Sequence, residues 1–450
     1  MNYDLTVGDP RKTLWRFTFP MFISVVFQQF YSITDSAIAG QFAGDSALAA
    51  IGASYPITMI FMAIATGSNI GCTVVLSQLF GAKKYKDVKT AAYTALIFGT
   101  ILSGLLTVIA LISSSALLTA IQTPASIFTD AASYMNIYLG GFAFLYLYNM
   151  ANGVFNALGD SKTPLYLLIM SSLANVVLDY IFVAILNSGV SGAAWATFIA
   201  QGAACVLAVI ILLFRLAKLD SEKNISLFSA SKLKLILFIA IPSILQSSFV
   251  SVGNFFIQGL INSCGEAVIA GFSSAFKLNT FALTSITTVA SAVSSFTAQN
   301  IGAGKYDRVR KGLKYGLILA MSFTVVFAFS YYFAGRPLLG IFMESDSSDA
   351  MATGIEFLKM IGPFYFVVCS KLVFDGVLRG AKAMRYFMIT TFSDLIIRVV
   401  ISYILFPSMQ QHGIWLSWPI GWVIGAFLSI LFYFLGVWNK SEKSKVKQEA

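Results

Sequence analysis

Of the side chains that commonly carry chemistry, this 450-residue chain has few: one histidine, four cysteines and a charged fraction of 11%. Soluble proteins carry roughly 25% charged residues, so a soluble globular chain is excluded. A single histidine, His412, leaves no histidine-based acid–base relay or metal cluster, and at the start of the last apolar run it is expected at an interface. Cys72, Cys205, Cys264 and Cys369 lie far apart inside apolar runs, without CxxC or Cys/His spacing. That excludes a disulfide framework and a zinc site, and leaves them as small core residues. Long polar stretches are missing too: the longest loops, 216–231 and 335–351, hold no extramembranous domain, so an enzyme domain is not expected. The first ten residues are polar and the first apolar run is too long for a signal sequence, so no cleaved leader is expected.

What the chain has is apolar sequence: 57% hydrophobic and 14% aromatic residues, with a mean hydropathy of +0.79. At ~20 residues per membrane span plus a connection, it has room for roughly 11 to 13 spans. Apolar runs set against charged punctuation predict twelve helices, near 14–39, 47–79, 88–113, 131–157, 163–186, 190–216, 233–261, 267–298, 310–334, 353–379, 384–407 and 413–438. Of the 30 Lys and Arg, 25 fall in or beside the N-terminal segment, alternate loops and the C-terminal tail, and only Arg336 falls on the opposite side. This asymmetry predicts both termini in the cytoplasm, and it accounts for the net charge of +10 without nucleic acid.

The twelve spans divide into two similar halves. Gln78 to Val88 and Gln299 to Val309 agree at Gln, Gly, Ala, Lys, Tyr and Val with an offset of 221, which also pairs Gly44 with Gly265, Ala49 with Ala270, Gly141 with Gly362 and Gly159 with Gly380. Pro20 matches Pro242 after a one-residue slip. Six spans per half make the repeat parallel. The expected organisation is an N-lobe at 1–216, a linker at 217–232, a C-lobe at 233–438 and a tail at 439–450, with substrate bound between the lobes.

Four acids lie well inside predicted spans: Asp35, Asp179, Asp375 and Asp394. Each costs about 2.5–3.5 kcal/mol at a helix centre, so each needs a partner, a wet cavity or a function. Lys371 and Asp375 are four residues apart, as are Asp394 and Arg398, and each pair is expected to neutralise itself on one helix face as a structural pair. Asp35 and Asp179 have no local cation. Both fall in the outer half of the bilayer, with Asn175 on the face of Asp179. Apolar surroundings disfavour a charged carboxylate, so these two are expected to take up protons or a metal cation near neutral pH. The offset of 221 carries no intramembrane charge onto another: Asp179 falls on Val400, Asp394 on Leu173 and Arg398 on Val177. Lys277, unpaired in the eighth span, is open to three readings: snorkelling, contact with a helix C-terminus, or a place in a central cavity.

Together Gln29, Tyr31, Asp35 and Gly40, the Gly44–Ala50 run, Gln78–Ala82, Leu158–Pro164, Asn175–Asp179, Gly189–Thr197, Gln299–Ala303 and Leu378–Gly380 resemble the multidrug and toxic compound extrusion (MATE) family over nearly the whole chain. The resemblance implies an all-α integral membrane transporter of twelve helices in two lobes, V-shaped, exporting lipophilic organic cations against H⁺ or Na⁺. It implies that Asp35 couples the ion, with Asn175, Asp179, Thr197 and Asn152 in its hydrogen-bonded network; Asp35, Asn175, Asp179 and Thr197 would be the ligands were Na⁺ the ion. The pattern is closer to the DinF-like subgroup than to the NorM-type, because the seventh span, 233–261, lacks an acid.

These readings converge on a monomeric secondary antiporter of the plasma membrane, in a prokaryote the inner membrane, with no cofactor and no nucleic-acid partner. Tyr31 and Phe155 are expected to offer aromatic surface to a cationic substrate. The alternatives are a lipid-linked saccharide or precursor flippase, whose substrate pyrophosphate calls for an Arg- and Lys-rich cavity; a metabolite exporter of the same fold; and a membrane-embedded enzyme, disfavoured by the single histidine.

Overall fold

In the computed structural model, residues 4–219, 224–343 and 348–439 are described, and among them the chain is helical without a strand. The α-helices are α1 Pro10–Ile38, α2 Asp45–Gly81, α3 Tyr85–Ala120, α4 Ala125–Gly140, α5 Phe142–Ala157, α6 Lys162–Asp179, α7 Gly189–Ala217, α8 Ala230–Asn262, α9 Glu266–Gly302, α10 Tyr306–Phe333, α11 Gly335–Leu339, α12 Ser348–Ile361, α13 Tyr365–Gly380, α14 Met384–Met409 and α15 Gln411–Phe434. Ten helical stretches among the described residues are long and apolar enough to cross a membrane. Two expected spans fall outside that set. The run at 14–39 becomes α1, diluted by the polar residues between Gln28 and Ser36; the run at 131–157 is built as α4 and α5, which meet at Gly141. A short 3₁₀ turn at Gly362–Phe364 separates α12 from α13, where Pro363 has no N–H to continue the ladder.

The helices are apolar on the outside and small on the inside. On α3, Ile97, Ile101, Leu105, Val108 and Ile112 are exposed, while Ala91, Ala95, Gly99, Ser103, Ala110 and Ser114 are buried. Lipid offers no hydrophobic gain for burying large side chains, so close backbone approach decides which face turns inward. Glycines four apart carry those approaches. A Cβ on Gly376 or Gly380 of α13 would come within 2.5 Å of the Ala290 carbonyl oxygen or 2.4 Å of that of Ser294 on α9. On α2, Gly67 and Gly71 do the same against Ile244 and Ala240 of α8.

The described chain forms two compact units: Phe19–Ser248, and Leu5–Thr18 with Phe249–Ala450. The division therefore departs from the expected linker at 217–232, since α1 and α8 each begin in one unit and continue in the other. The reason lies at their starts. Leu5 is fully buried; its N–H donates to Gln299 Oε1 at 2.9 Å and its carbonyl accepts from Asn300 and Arg308. Lys305 donates to the Thr6 carbonyl at 2.8 Å, and Arg308 to those of Val7 and Gly8 at 3.1 and 2.6 Å. The start of α8 is held the other way: the Ser229 N–H donates to Thr94 Oγ1 at 3.0 Å, and Lys232 pairs with Asp87 at 3.0 Å.

The repeat recurs in the backbone. Left-handed residues occur at Gly44 and Gly265 and at Lys83 and Gly304, both pairs 221 apart, and at Gly159 and Lys382 and at Asn187 and Gln410, both pairs 223 apart. The constant offset of 221 is thus corrected for the later part of each half: Gly159 corresponds to Lys382 rather than to Gly380. The slip lies between Lys83 and Gly159 in one half and between Gly304 and Lys382 in the other. Arg308→Ala removes four charge-assisted hydrogen bonds, each worth ~1.5–3 kcal/mol before non-additivity. It is expected to lower the apparent Tm of the detergent-solubilised protein and to expose residues 5–9 to proteolysis, read by thermal shift and limited digestion.

Candidate functional site

Both acids that lack a local cation stand where a helix widens. Asp35 is close to the end of α1, which opens into a π-helical turn at Ala39–Ala43. Asp179 ends α6, and the next residues, Tyr180–Ile185, form a second π-helical turn. Such turns displace the ordinary i→i+4 ladder and are concentrated at functional sites. The two turns meet through the rings of Phe42 and Tyr180, edge to face at 6.0 Å.

Around the acids the helices converge. The carboxyl groups of Asp35 and Asp179 lie within interaction range of each other, two groups of like charge that a proton on one of them would reconcile. Asn175, one turn before Asp179, is 2% exposed and Asp179 1%. Oriented by its partners, the Asn175 amide nitrogen donates to Asp179 Oδ2 at 2.8 Å and to the Tyr31 hydroxyl at 3.1 Å, while its oxygen accepts from the Thr197 backbone N–H at 3.0 Å. Tyr31 and Thr197 both meet Asn175. Asp179 Oδ1 meets no N–H or hydroxyl donor among the described residues. Tyr31, Asp35, Asn175, Asp179 and Thr197 are therefore one network, contributed by α1, α6 and α7.

Other expected residues lie elsewhere. Asn152 lies beside Tyr148 and its Oδ1 is unpartnered, so it stands outside the network. Phe155 is fully buried in helix packing and presents no surface to a substrate, a correction to its expected role. Lys277 is exposed, with Nζ 5.3 Å from the centre of the Phe342 ring. The expected pair of Lys371 with Asp375 exists at 3.1 Å, but Lys371 also reaches Asp394 at 3.3 Å. The expected Asp394–Arg398 pair is not among the described ion pairs; Arg398 stands over the Trp418 ring at 4.3 Å and donates to Asn254 Oδ1 at 3.3 Å. Helical spacing brought Asp394 near Arg398, but the ammonium of Lys371 took the carboxylate. The residue missed near the acids is Tyr134 of α4, in electrostatic reach of both carboxyls; a tyrosine in an apolar run carried no signal.

The ten apolar spans and the polar network buried among them define an integral membrane protein of the transporter class. The MatE family model matches the chain twice, over residues 20–181 and 242–404, and the chain belongs to the MATE family of multi-pass membrane transporters. The chain is 29% identical over 441 residues to the probable multidrug resistance protein YpnP of Bacillus subtilis, covering 97% of this chain and 98% of that protein. It is 25% identical over 340 residues to an FAD transporter of Shewanella oneidensis, 74% of each chain. Among solved structures, an outward-facing multidrug resistance MATE family transporter of the MOP superfamily superposes with a TM-score of 0.90 at 24% identity, over 97% of this chain and 98% of that one. The protein is a transporter, not an enzyme.

Because Asn175 donates to Asp179 and Tyr31 and accepts from Thr197, Asn175→Ala removes the link between them. It is expected to lower the apparent Tm in thermal shift by a few degrees, roughly the equivalent of one lost buried hydrogen bond, with the protein still monodisperse by gel filtration.

Proposed function

We propose that this protein is a secondary antiporter that exports lipophilic organic cations in exchange for protons, by alternating access, across a prokaryotic plasma membrane with both termini in the cytoplasm. It acts as a monomer and needs no cofactor. The observation that carries the reading is the carboxyl pair Asp35–Asp179, two acids within interaction range of each other among apolar helices. A pair that shares one proton can gain or lose charge without moving far, and ionised it attracts a cation. Proton uptake cancels that attraction and favours the state in which the pair is sequestered; the drive is the difference in proton affinity between the two states, since equal affinity would shift nothing. Tyr31, bonded into the network, supplies aromatic surface for the cation.

A proton is the simpler coupling ion for this pair, because protonating one of two carboxyl groups held side by side relieves their mutual repulsion without any further ligand. The absence of an acid from 233–261 supports a place nearer the DinF-like pattern than the NorM-type.

In proteoliposomes loaded with ethidium, an imposed pH gradient is expected to drive transport and a Na⁺ gradient at uniform pH is not. Asp35→Asn is expected to cut pH-driven transport to background. Transport driven by Na⁺ alone, or an unimpaired Asp35→Asn protein, overturns the proposal.

A further inference from the structure

The unit that contains Phe249–Ala450 carries a polar cluster in the place that corresponds to the carboxyl pair, with the opposite sign. The left-handed residues that bracket α6 and α14 are 223 apart at both ends, and that offset carries Arg398 to Asn175. The partners agree with the register. Asn175 links α6 to Tyr31 of α1 and Thr197 of α7; Arg398 links α14 to Asn254 of α8 and Trp418 of α15, the corresponding first and last helices of its half. Where one half has a neutral amide between carboxylates, the other has a guanidinium.

That guanidinium is short of partners. Arg398 is 5% exposed, yet among its N–H groups one hydrogen bond is made, to the neutral Asn254, and Nε has none. The Trp418 ring supplies a face but no charge. Asp394, four residues earlier on the same helix, attracts it electrostatically without closing an ion pair: its Oδ2 pairs with Lys371 and its Oδ1 meets no donor. Asp375 cannot help: its Oδ2 faces Lys371 and its Oδ1 accepts from Thr390 at 2.9 Å and Ser429 at 2.7 Å. Arg379, also buried, leaves its Nε unpartnered over Phe387. Counting Lys371, Arg379 and Arg398 against Asp375 and Asp394, the buried cluster holds one cation more than it can balance. Buried cations are paired or bind something, and an apolar residue would fill a purely structural position at less cost.

We propose that Arg398 is the centre of a binding site for an oxyanion, the carboxylate or phosphate group of a small solute. The planar guanidinium suits two parallel N–H···O bonds to such a group, and Asn254, partly exposed on α8, adds an amide beside it. The site lies in the half without the carboxyl pair and does not rest on the cation-export reading. A transporter with both sites accepts zwitterionic or anionic solutes as well as cations.

The test is binding of phenylphosphate and benzoate to the full-length protein in phospholipid-free detergent, followed by calorimetry. Saturable binding of one equivalent is expected, weakened at least tenfold in Arg398→Gln and partly rescued in Arg398→Lys. Asp35→Asn is expected to leave it within twofold, which separates this site from the proton-coupling one. Absence of saturable binding to the wild type overturns the proposal whatever the variants do. So does binding unchanged in a folded Arg398→Gln. Displacement of phenylphosphate by phosphatidylglycerol but not by phosphatidylcholine would assign the oxyanion to a lipid headgroup and overturn its assignment to a solute.

Discussion

A polar group inside hydrocarbon has no water to turn to, and the rest of this structure follows from that constraint. It makes every described span helical, since a helix satisfies its own backbone. It also gathers the few intramembrane ionisable groups into two places, where side chains can serve one another. Asp35 and Asp179 are acceptable because each is the other's partner and because Asn175, Tyr31 and Thr197 close the network. Asp375 is acceptable because Lys371, Thr390 and Ser429 surround it.

The same constraint explains how the helices touch. Large apolar side chains gain nothing by leaving lipid, so they stay outside, and glycine and alanine faces bring backbones together. Gly421 and Gly425 of α15 show how this serves the chemistry. A Cβ on Gly421 would stand 2.7 Å from Asp394 Oδ1, and one on Gly425 would stand 2.6 Å from Lys371 Cε. The charged cluster fits because α15 has no side chains at those two positions.

The two halves share a scaffold and differ in charge. Their turns repeat, down to the left-handed residues at Gly44 and Gly265 and at Asn187 and Gln410. The corresponding helices converge on a carboxyl pair in one half and a guanidinium over an indole in the other. Duplication kept the geometry that a parallel repeat needs, and the ionisable residues diverged within it. The starts of α1 and α8 are also treated alike, each held by side chains of the unit that the rest of the helix leaves.

Much of this was legible in the sequence, because the relevant signals are local or periodic. Apolar run lengths determined the helical membrane class, the Gln78 and Gln299 motifs determined the duplication, and the lack of a cation within four residues singled out Asp35 and Asp179. Three things were decided by tertiary structure alone. Lys371 bridges two acids, one on another helix, and Arg398 loses its expected partner, since four-residue spacing describes one helix and cannot see a cation that arrives from another. Tyr134 joins the acids and Asn152 does not, because side-chain direction depends on how α4 and α5 meet at Gly141. The π-helical turns beside both acids arise where packing between α1, α6 and α7 outweighs the regular ladder, a balance that no stretch of sequence contains by itself.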